Sequence, residues 1–249
     1  MNIIINGAGG RMGQAVVRFC REGFRDAQIA AQTDMNFTTD PESGLYRTLW
    51  EYDGQADCII DFSSPRATET LCRYATEKGI PLVIATTGQT PEEAAMLQAA
   101  AKTVPVFSSA NMSVGVALLV SLAKQATQTL PEADIEIVET HHNRKADAPS
   151  GTALMLAHAI EAVRTSLCEV FGRHGQAKRQ KNEIGIHAVR RGNIVGIHEV
   201  HFSTDEETVT LTHEAHSRTV FAKGAIAAAE FLIRQSPGMY DMQSMVSGS

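Results

Sequence analysis

The spacing of apolar and polar positions divides this chain into two rhythms. Residues 2–6 (NIIIN) form a short β-branched run, the pattern of a strand buried on both faces. After a glycine cluster, Ala15, Val16, Phe19 and Cys20 recur at three- and four-residue spacing, which predicts a helix from Arg11 that Gly23 stops. Residues 28–33, 57–61, 81–85 and 104–107 read as further strands, with helices near 65–78 and 91–102 between them. Pro65 and Pro91 each fall in a first helical turn, where the missing N–H is harmless. Strands alternating with helices imply βαβ units and a parallel sheet.

The rhythm changes near residue 112. Residues 114–127 predict a long helix, 134–140 (DIEIVET) a strand with one wet face, and 151–163 another helix. Residues 184–190, 194–202 and 207–214 follow as strands. Tight turns at Gly192-Asn193 and Asp205-Glu206 join these into an antiparallel meander with one face wet or covered by another subunit. A strongly apolar helix spans 219–234, and the tail from Ser236 is expected to pack loosely. The fold class is therefore α/β: a Rossmann-type parallel-sheet domain plus an α+β substrate and oligomerisation domain with an open mixed sheet.

Composition narrows the function. With 249 residues and a formal net charge of −6, the chain has room for a proper core and no general affinity for nucleic acid. Any anion site must be a local concentration of positive groups. The apolar run Ile3-Ile4-Ile5 is far shorter than the roughly 7–15 residues of an export segment or the roughly 20 of a membrane span. Cys20, Cys58, Cys72 and Cys168 are widely spaced, which suits a reducing cytoplasm and four small buried hydrophobes. The basic stretch 173–182 (RHGQAKRQKN) reads as a mobile solvated loop.

Two motifs carry chemistry. Gly7-Ala8-Gly9-Gly10-Arg11-Met12-Gly13 lies between the first strand and first helix, where glycines let the backbone approach a pyrophosphate at a helix N-terminus. Its spacing, G-x-x-G-x-x-G, departs from the usual dinucleotide fingerprint. Asp34, at the end of the second strand, stands where a carboxylate grips ribose hydroxyls. Ala85-Thr86-Thr87-Gly88 and Ser108-Ser109-Ala110-Asn111-Met112 follow the carboxyl ends of two more strands, the edge where such sheets bind ligands.

The second motif is His141-His142-Asn143-Arg144-Lys145-Ala146-Asp147-Ala148-Pro149-Ser150-Gly151-Thr152-Ala153. Ser150 is a candidate N-cap, and the amides of Gly151 and Thr152 would face an anion with Lys145 adding a full charge. A histidine beside them can donate a proton near neutral pH. Three readings stand: a polar loop before a capped helix, an acid beside an anion receptor, or a metal site using His141 or His142 with His213 and His216. The last lacks the i,i+4 zinc spacing, so no metal is expected. His187, His198 and His201 read as ordinary sheet residues. Asp147 reads as structural, orienting Lys145 or the loop.

Together these motifs resemble the dihydrodipicolinate reductase family. The likeness extends to A-T-T-G (85–88), A-N-M-S-V-G (110–115), I-G-I-H-A-V-R-R-G-N-I-V-G (184–196) and S-R-T-V-F-A-K-G-A (217–225), and so covers nearly the whole chain. It implies reduction of a cyclic dicarboxylate, 4-hydroxy-tetrahydrodipicolinate, in diaminopimelate and lysine biosynthesis. His141 and Lys145 would be catalytic, while His142, Gly151 and Thr152 would hold substrate carboxylates. Gly7, Ala8, Gly9, Gly10, Arg11, Met12, Asp34, Ala85, Thr86, Thr87, Ser109, Ala110, Asn111 and Met112 would contact the nicotinamide cofactor. The likeness also implies a discontinuous cofactor domain (1–112 with 218–249), a substrate domain (113–217), a homotetramer and a cytoplasmic enzyme without membrane or nucleic-acid partners. Ala85 and Met112 depart from residues common in the family. Met35-Asn36 follow Asp34 where some members place an arginine for the NADPH 2′-phosphate, so NADH is the expected preference. Other two-domain nicotinamide dehydrogenases, and a non-catalytic NAD(H) sensor, would share the first motif without requiring the second.

Overall fold

The computed structural model describes residues 1–248. The chain forms two compact units, Met1–Val114 with the segment from Thr219 onward, and Gly115–Arg218.

The first unit is a seven-stranded sheet built from β1 (Asn2–Asn6), β2 (Gln28–Thr33), β3 (Leu45–Tyr46), β4 (Cys58–Asp61), β5 (Leu82–Ile84), β6 (Pro105–Ser108) and a late strand, Gly238–Tyr240. Every neighbouring pair is parallel, in the order β3-β2-β1-β4-β5-β6 and then the late strand. This is the doubly wound arrangement, with strand order reversing between β1 and β4. Ile3, Ile4 and Ile5 are fully buried, as a central parallel strand requires. The helices α1 (Arg11–Arg21), α2 (Thr68–Lys78) and α3 (Pro91–Ala100) follow β1, β4 and β5. Thr90 and Glu93 form a reciprocal capping box at the start of α3.

The second unit opens with α4 (Val114–Thr129) and β7 (Asp134–His141), followed by α5 (Gly151–Glu161), β8 (Cys168–Phe171), β9 (Glu183–Arg190), β10 (Gly196–Ser203) and β11 (Thr208–Ala215). Ile135 and Ile137 of β7, Ile184 and Ile186 of β9, and Val200 and Phe202 of β10 point to one face, where α4 and α5 close a single core. Each such fully buried side chain contributes about 1.5–3 kcal/mol. The chain then returns to the first unit through α6 (Thr219–Leu232), β12 (Gly238–Tyr240) and α7 (Met242–Ser247).

Four expectations are corrected. The strands after residue 184 are not a meander, because the order is β11-β10-β7-β9-β8 and β7 lies between β9 and β10. β9 runs parallel to β7 and β10 antiparallel to it. Residues 191–194 loop round the end of β7, with backbone bonds from Arg191 N to His141 O, His142 N to Ile194 O and Asn143 N to Gly192 O. A short glycine turn therefore looks like a hairpin in sequence yet steps over a strand.

The tail is also ordered: β12 pairs with β6, and Asp241 caps α7. Stretch 173–182 is tethered rather than free. Arg179 bonds Asp134 and Glu136, and Arg173 bonds Glu183, so its basic residues answer acids on the sheet's outer face. Finally, Cys168 is exposed while the other three cysteines are buried.

Candidate functional site

In the first unit, the candidate cofactor residues follow the carboxyl ends of β1, β2, β5 and β6. Gly7 takes φ +76°, and a Cβ on Gly13 would lie 2.2 Å from Gly7 O, so the turn closes onto the helix only with glycine at both positions. Helix α1 has Gly10 at its N-cap, with no side-chain cap and no acid in its first turn, which leaves its positive end suited to an anion. Gly9 N donates to Asp34 Oδ2 at 3.0 Å, and Asn36 bonds the other oxygen, so the carboxylate at the end of β2 faces the glycine turn.

A cavity of about 400 Å³ is lined by Arg11, Met12, Ala85, Thr86 and Thr87 together with Phe62, Ser63, Ser64 and Pro65. It lies at the switch between β1 and β4, where dinucleotides bind in this fold. The glycine turn, the bare helix end, the facing carboxylate and the cavity together fit a dinucleotide. Ser109 and Asn111 brace the loop after β6: Ser109 Oγ donates to Asn111 O, and Asn111 Oδ1 accepts from Ser113 N. The buried Met112 presents its carbonyl to Gly224 of α6, where a Cβ would come within 1.6 Å.

Behind the cavity lies Asp61, 1% exposed, at the end of β4. Its carboxylate accepts from Asn6 Nδ2 (2.7 Å), Ser63 Oγ (2.5 Å) and Thr86 Oγ1 (2.6 Å). Burial pushes this carboxyl up, and these hydrogen bonds, with one more from Ser63 N, oppose the rise. Sequence reasoning missed Asp61, although a carboxylate ending the buried run Cys-Ile-Ile was its signal.

In the second unit, residues of the histidine-lysine motif gather at one end of the sheet's inner face. His141 is 8% exposed, and its Nδ1 lies 2.5 Å from Glu139 Oε2. Glu139 is fully buried, accepts from Ser150 N at 3.0 Å, and is bridged by both terminal nitrogens of Arg190 at 2.7 Å each. The same guanidinium donates to Asp147 O at 2.6 Å, and Asp147 Oδ2 accepts from Lys145 Nζ at 2.7 Å. Asp147 therefore bonds Lys145 through its carboxylate and Arg190 through its backbone carbonyl.

His198 packs edge-on against His141, with ring centres 5.1 Å apart, and its Nε2 meets Ser150 Oγ at 3.0 Å. Ser150 also caps α5 by accepting from Ala153 N, so the helix starts at Gly151 and Thr152 beside this cluster. His142 lies just past β7, where Arg218 Nη2 donates to its Nε2 at 3.1 Å.

The charges are ordered by their surroundings. Burial pushes Glu139 up, but hydrogen bonds from His141 and Arg190 outweigh it and bring the carboxyl down to about 2. Burial drives His198 down to about 3, and the facing His141 adds to this. Desolvation, then the charges of Arg144 and Arg218, lower His142. Asp147 is lowered chiefly by its bond from Lys145.

Of the four histidines weighed as metal ligands, His141 meets Glu139 through Nδ1 and His142 accepts from Arg218 through Nε2. Glu139, Arg190 and His198 were missed as site residues. Their signal was parity: Ile135, Ile137, Glu139 and His141 share one face of β7, and a carboxylate on an apolar face needs a partner.

A doubly wound sheet with a glycine turn at its switch point, joined to a unit that buries a histidine on a carboxylate, defines a two-unit pyridine-nucleotide oxidoreductase. The family model for the dihydrodipicolinate reductase N-terminus matches residues 1–112, and that for the C-terminus matches 115–246. The chain is 46% identical over 248 residues to the 4-hydroxy-tetrahydrodipicolinate reductase of Caldanaerobacter subterraneus subsp. tengcongensis, covering 99% of this chain and 98% of that one. It is 43% identical to the Rickettsia akari protein of the same name, covering 100% and 98%. A solved dihydrodipicolinate reductase from Paenisporosarcina sp. TG-14 with dipicolinate bound shares the fold at a TM-score of 0.82 and 24% identity, covering 97% of each chain. The chain belongs to the dihydrodipicolinate reductase family.

Proposed function

We propose that this chain reduces 4-hydroxy-tetrahydrodipicolinate to tetrahydrodipicolinate with NAD(P)H, in the diaminopimelate route to lysine, and that His141 is its proton donor. The observation that carries the reading is the buried His141–Glu139 contact, linked through Arg190 and Asp147 to Lys145. The glycine turn (Gly7 to Gly10), Arg11, Met12, Asp34, residues 85–87 and residues 109–112 hold the nucleotide, and the reduced nicotinamide supplies the hydride.

The rest of the chemistry belongs to side chains. Lys145 and the amides of Gly151 and Thr152 fix substrate carboxylates and draw electron density toward the ring nitrogen of the cyclic imine. His142 takes a further carboxylate oxygen. The 4-hydroxyl leaves as water with a proton from the neighbouring ring carbon, giving a conjugated imine. Hydride addition at C4 then leaves an enamine, and His141, its Nδ1 engaged by Glu139, delivers a proton to the enamine carbon from Nε2.

Asp34 followed by exposed Met35, with no arginine, disfavours a 2′-phosphate, so NADH is the preferred donor. No helix among the described residues is long and apolar enough to cross a membrane. The free thiols are in keeping with a cytoplasmic enzyme. A homotetramer formed through the outer face of the five-stranded sheet completes the reading, and light scattering on the purified chain measures it.

The test of function is nucleotide oxidation in the presence of pyruvate, aspartate semialdehyde and a coupling synthase. The expected result is oxidation that needs all three, with a higher kcat/KM for NADH than for NADPH. No oxidation with either nucleotide sinks the reading, and an equal or better NADPH value sinks the preference alone.

A further inference from the structure

A fully buried carboxylate needs donors, and Glu139 has four: His141 Nδ1, both terminal nitrogens of Arg190, and Ser150 N. Its placement follows from strand register. Glu139 and His141 lie two apart on β7, so they share the inner face. Arg190 on β9 is the register partner of His141, and His198 on β10 is that of Glu139. Three adjacent strands thus bring an acid, a cation and a second imidazole round one ring.

The arrangement has two consequences. Nδ1 is occupied, so the ring presents Nε2, on the side where Gly196 has no side chain; a Cβ there would stand 2.9 Å away. Glu139 is not the ring's alone, because Arg190 already matches its charge. A lone buried carboxylate would hold the imidazolium proton tightly, whereas one bridged by a guanidinium holds it less tightly and so lets it be given up.

Resting on the function proposed above, we infer that Glu139 and Arg190 are positioning residues with opposed effects. Glu139 sets the orientation of the His141 ring through Nδ1; Arg190 matches the charge of that carboxylate and ties it to the loop of Lys145. The other titratable groups facing the ring are few. His198 is kept neutral by burial and held by Ser150. Lys145 is paired with Asp147, and His142 follows His141 in sequence.

The test compares Glu139→Gln and Arg190→Met in pH profiles of kcat/KM, with coupling synthase in excess at each pH. A general acid loses activity as pH rises, so the alkaline limb reports the proton on the ring. Glu139→Gln is expected to move that limb about one pH unit lower and Arg190→Met about one unit higher. NADH affinity, read by fluorescence, should change less than twofold in both. Arg190→Met should also raise the KM for the dicarboxylate several-fold, because the loop of Lys145 loses its anchor.

Limbs that stay in place, or that move in the same direction, overturn the inference and leave the pair a stabilising contact. The ¹⁵N spectrum of the His141 ring needs no turnover. Wild type should show the neutral ring protonated at Nδ1, and Nε2 protonation there overturns the inference even if a variant fails to fold. Failure of the function reading would look different: His141→Gln would keep the wild-type rate and alkaline limb.

Discussion

Gly196→Ala adds one methyl group to the second unit, beside the candidate reacting atom. The new Cβ would lie 2.9 Å from His141 Nε2, 3.4 Å from its Cδ2 and 3.7 Å from its Cε1. Comfortable heavy-atom contacts begin near ~3.5 Å, so the ring must give way by roughly half an ångström. It has little freedom to do so, because Nδ1 is bound at 2.5 Å to a carboxylate held by three further donors. Catalytic groups tolerate displacements of about 0.5 Å, and a displacement of about 1 Å costs on the order of 10²-fold.

The expected loss in kcat is therefore roughly tenfold. Stability should move little, because the gain of about 0.4–1 kcal/mol from a less flexible unfolded chain opposes an overpacking cost of about 1–3 kcal/mol. Steady-state kinetics, a thermal melt and NADH titration separate these effects. The variant should melt within a few degrees of wild type and bind NADH unchanged. A kcat within twofold of wild type would refute the assignment of Nε2 as the proton-bearing atom.

Thr86→Val keeps the shape but removes a donor from buried Asp61, which should cost about 1–3 kcal/mol and weaken NADH binding several-fold; thermal melts and fluorescence titration measure both. Asp147→Ala should raise the KM for the dicarboxylate by a few-fold with kcat nearly kept, because Lys145 loses its holder and not its charge. Acid should destabilise the second unit in two stages, followed by melts across pH. His198 stays neutral in the fold down to about 3 while the unfolded chain takes up a proton near 6.5, so stability falls as pH drops below 6.5. Glu139 is held near 2 against an ordinary 4.5, so its contribution is full above 4.5 and fades as pH falls toward 2. His198→Gln should flatten the first stage and Glu139→Gln the second.

The alternation of β1, β2, β4, β5 and β6 with α1 to α3 was plain in the sequence, because a central parallel strand needs an unbroken apolar run and each helix an apolar stripe. The glycine turn was equally plain, since only glycine allows its closure at Gly7 and Gly13. The pairing of β7 with β9 was hidden. Strand periodicity reports which face is buried and says nothing of which strand lies alongside, and the short Gly192-Asn193 turn suggested a neighbour it does not join. β3 and β12, at two and three residues, are too short to show a period. Within the site, His141 and Lys145 stood out because titratable groups crowd one loop. Glu139 and Arg190 did not, because their meaning is a register: each is one charged residue on a strand until β7 and β9 are laid side by side.

The central claim is that His141 gives the proton that completes reduction. The measurement that tests it most directly is kcat for His141→Gln in the coupled reductase assay, alongside its NADH affinity. The account predicts a loss of roughly 10²–10⁴-fold in kcat with NADH binding unchanged. A variant that turns over at the wild-type rate contradicts it.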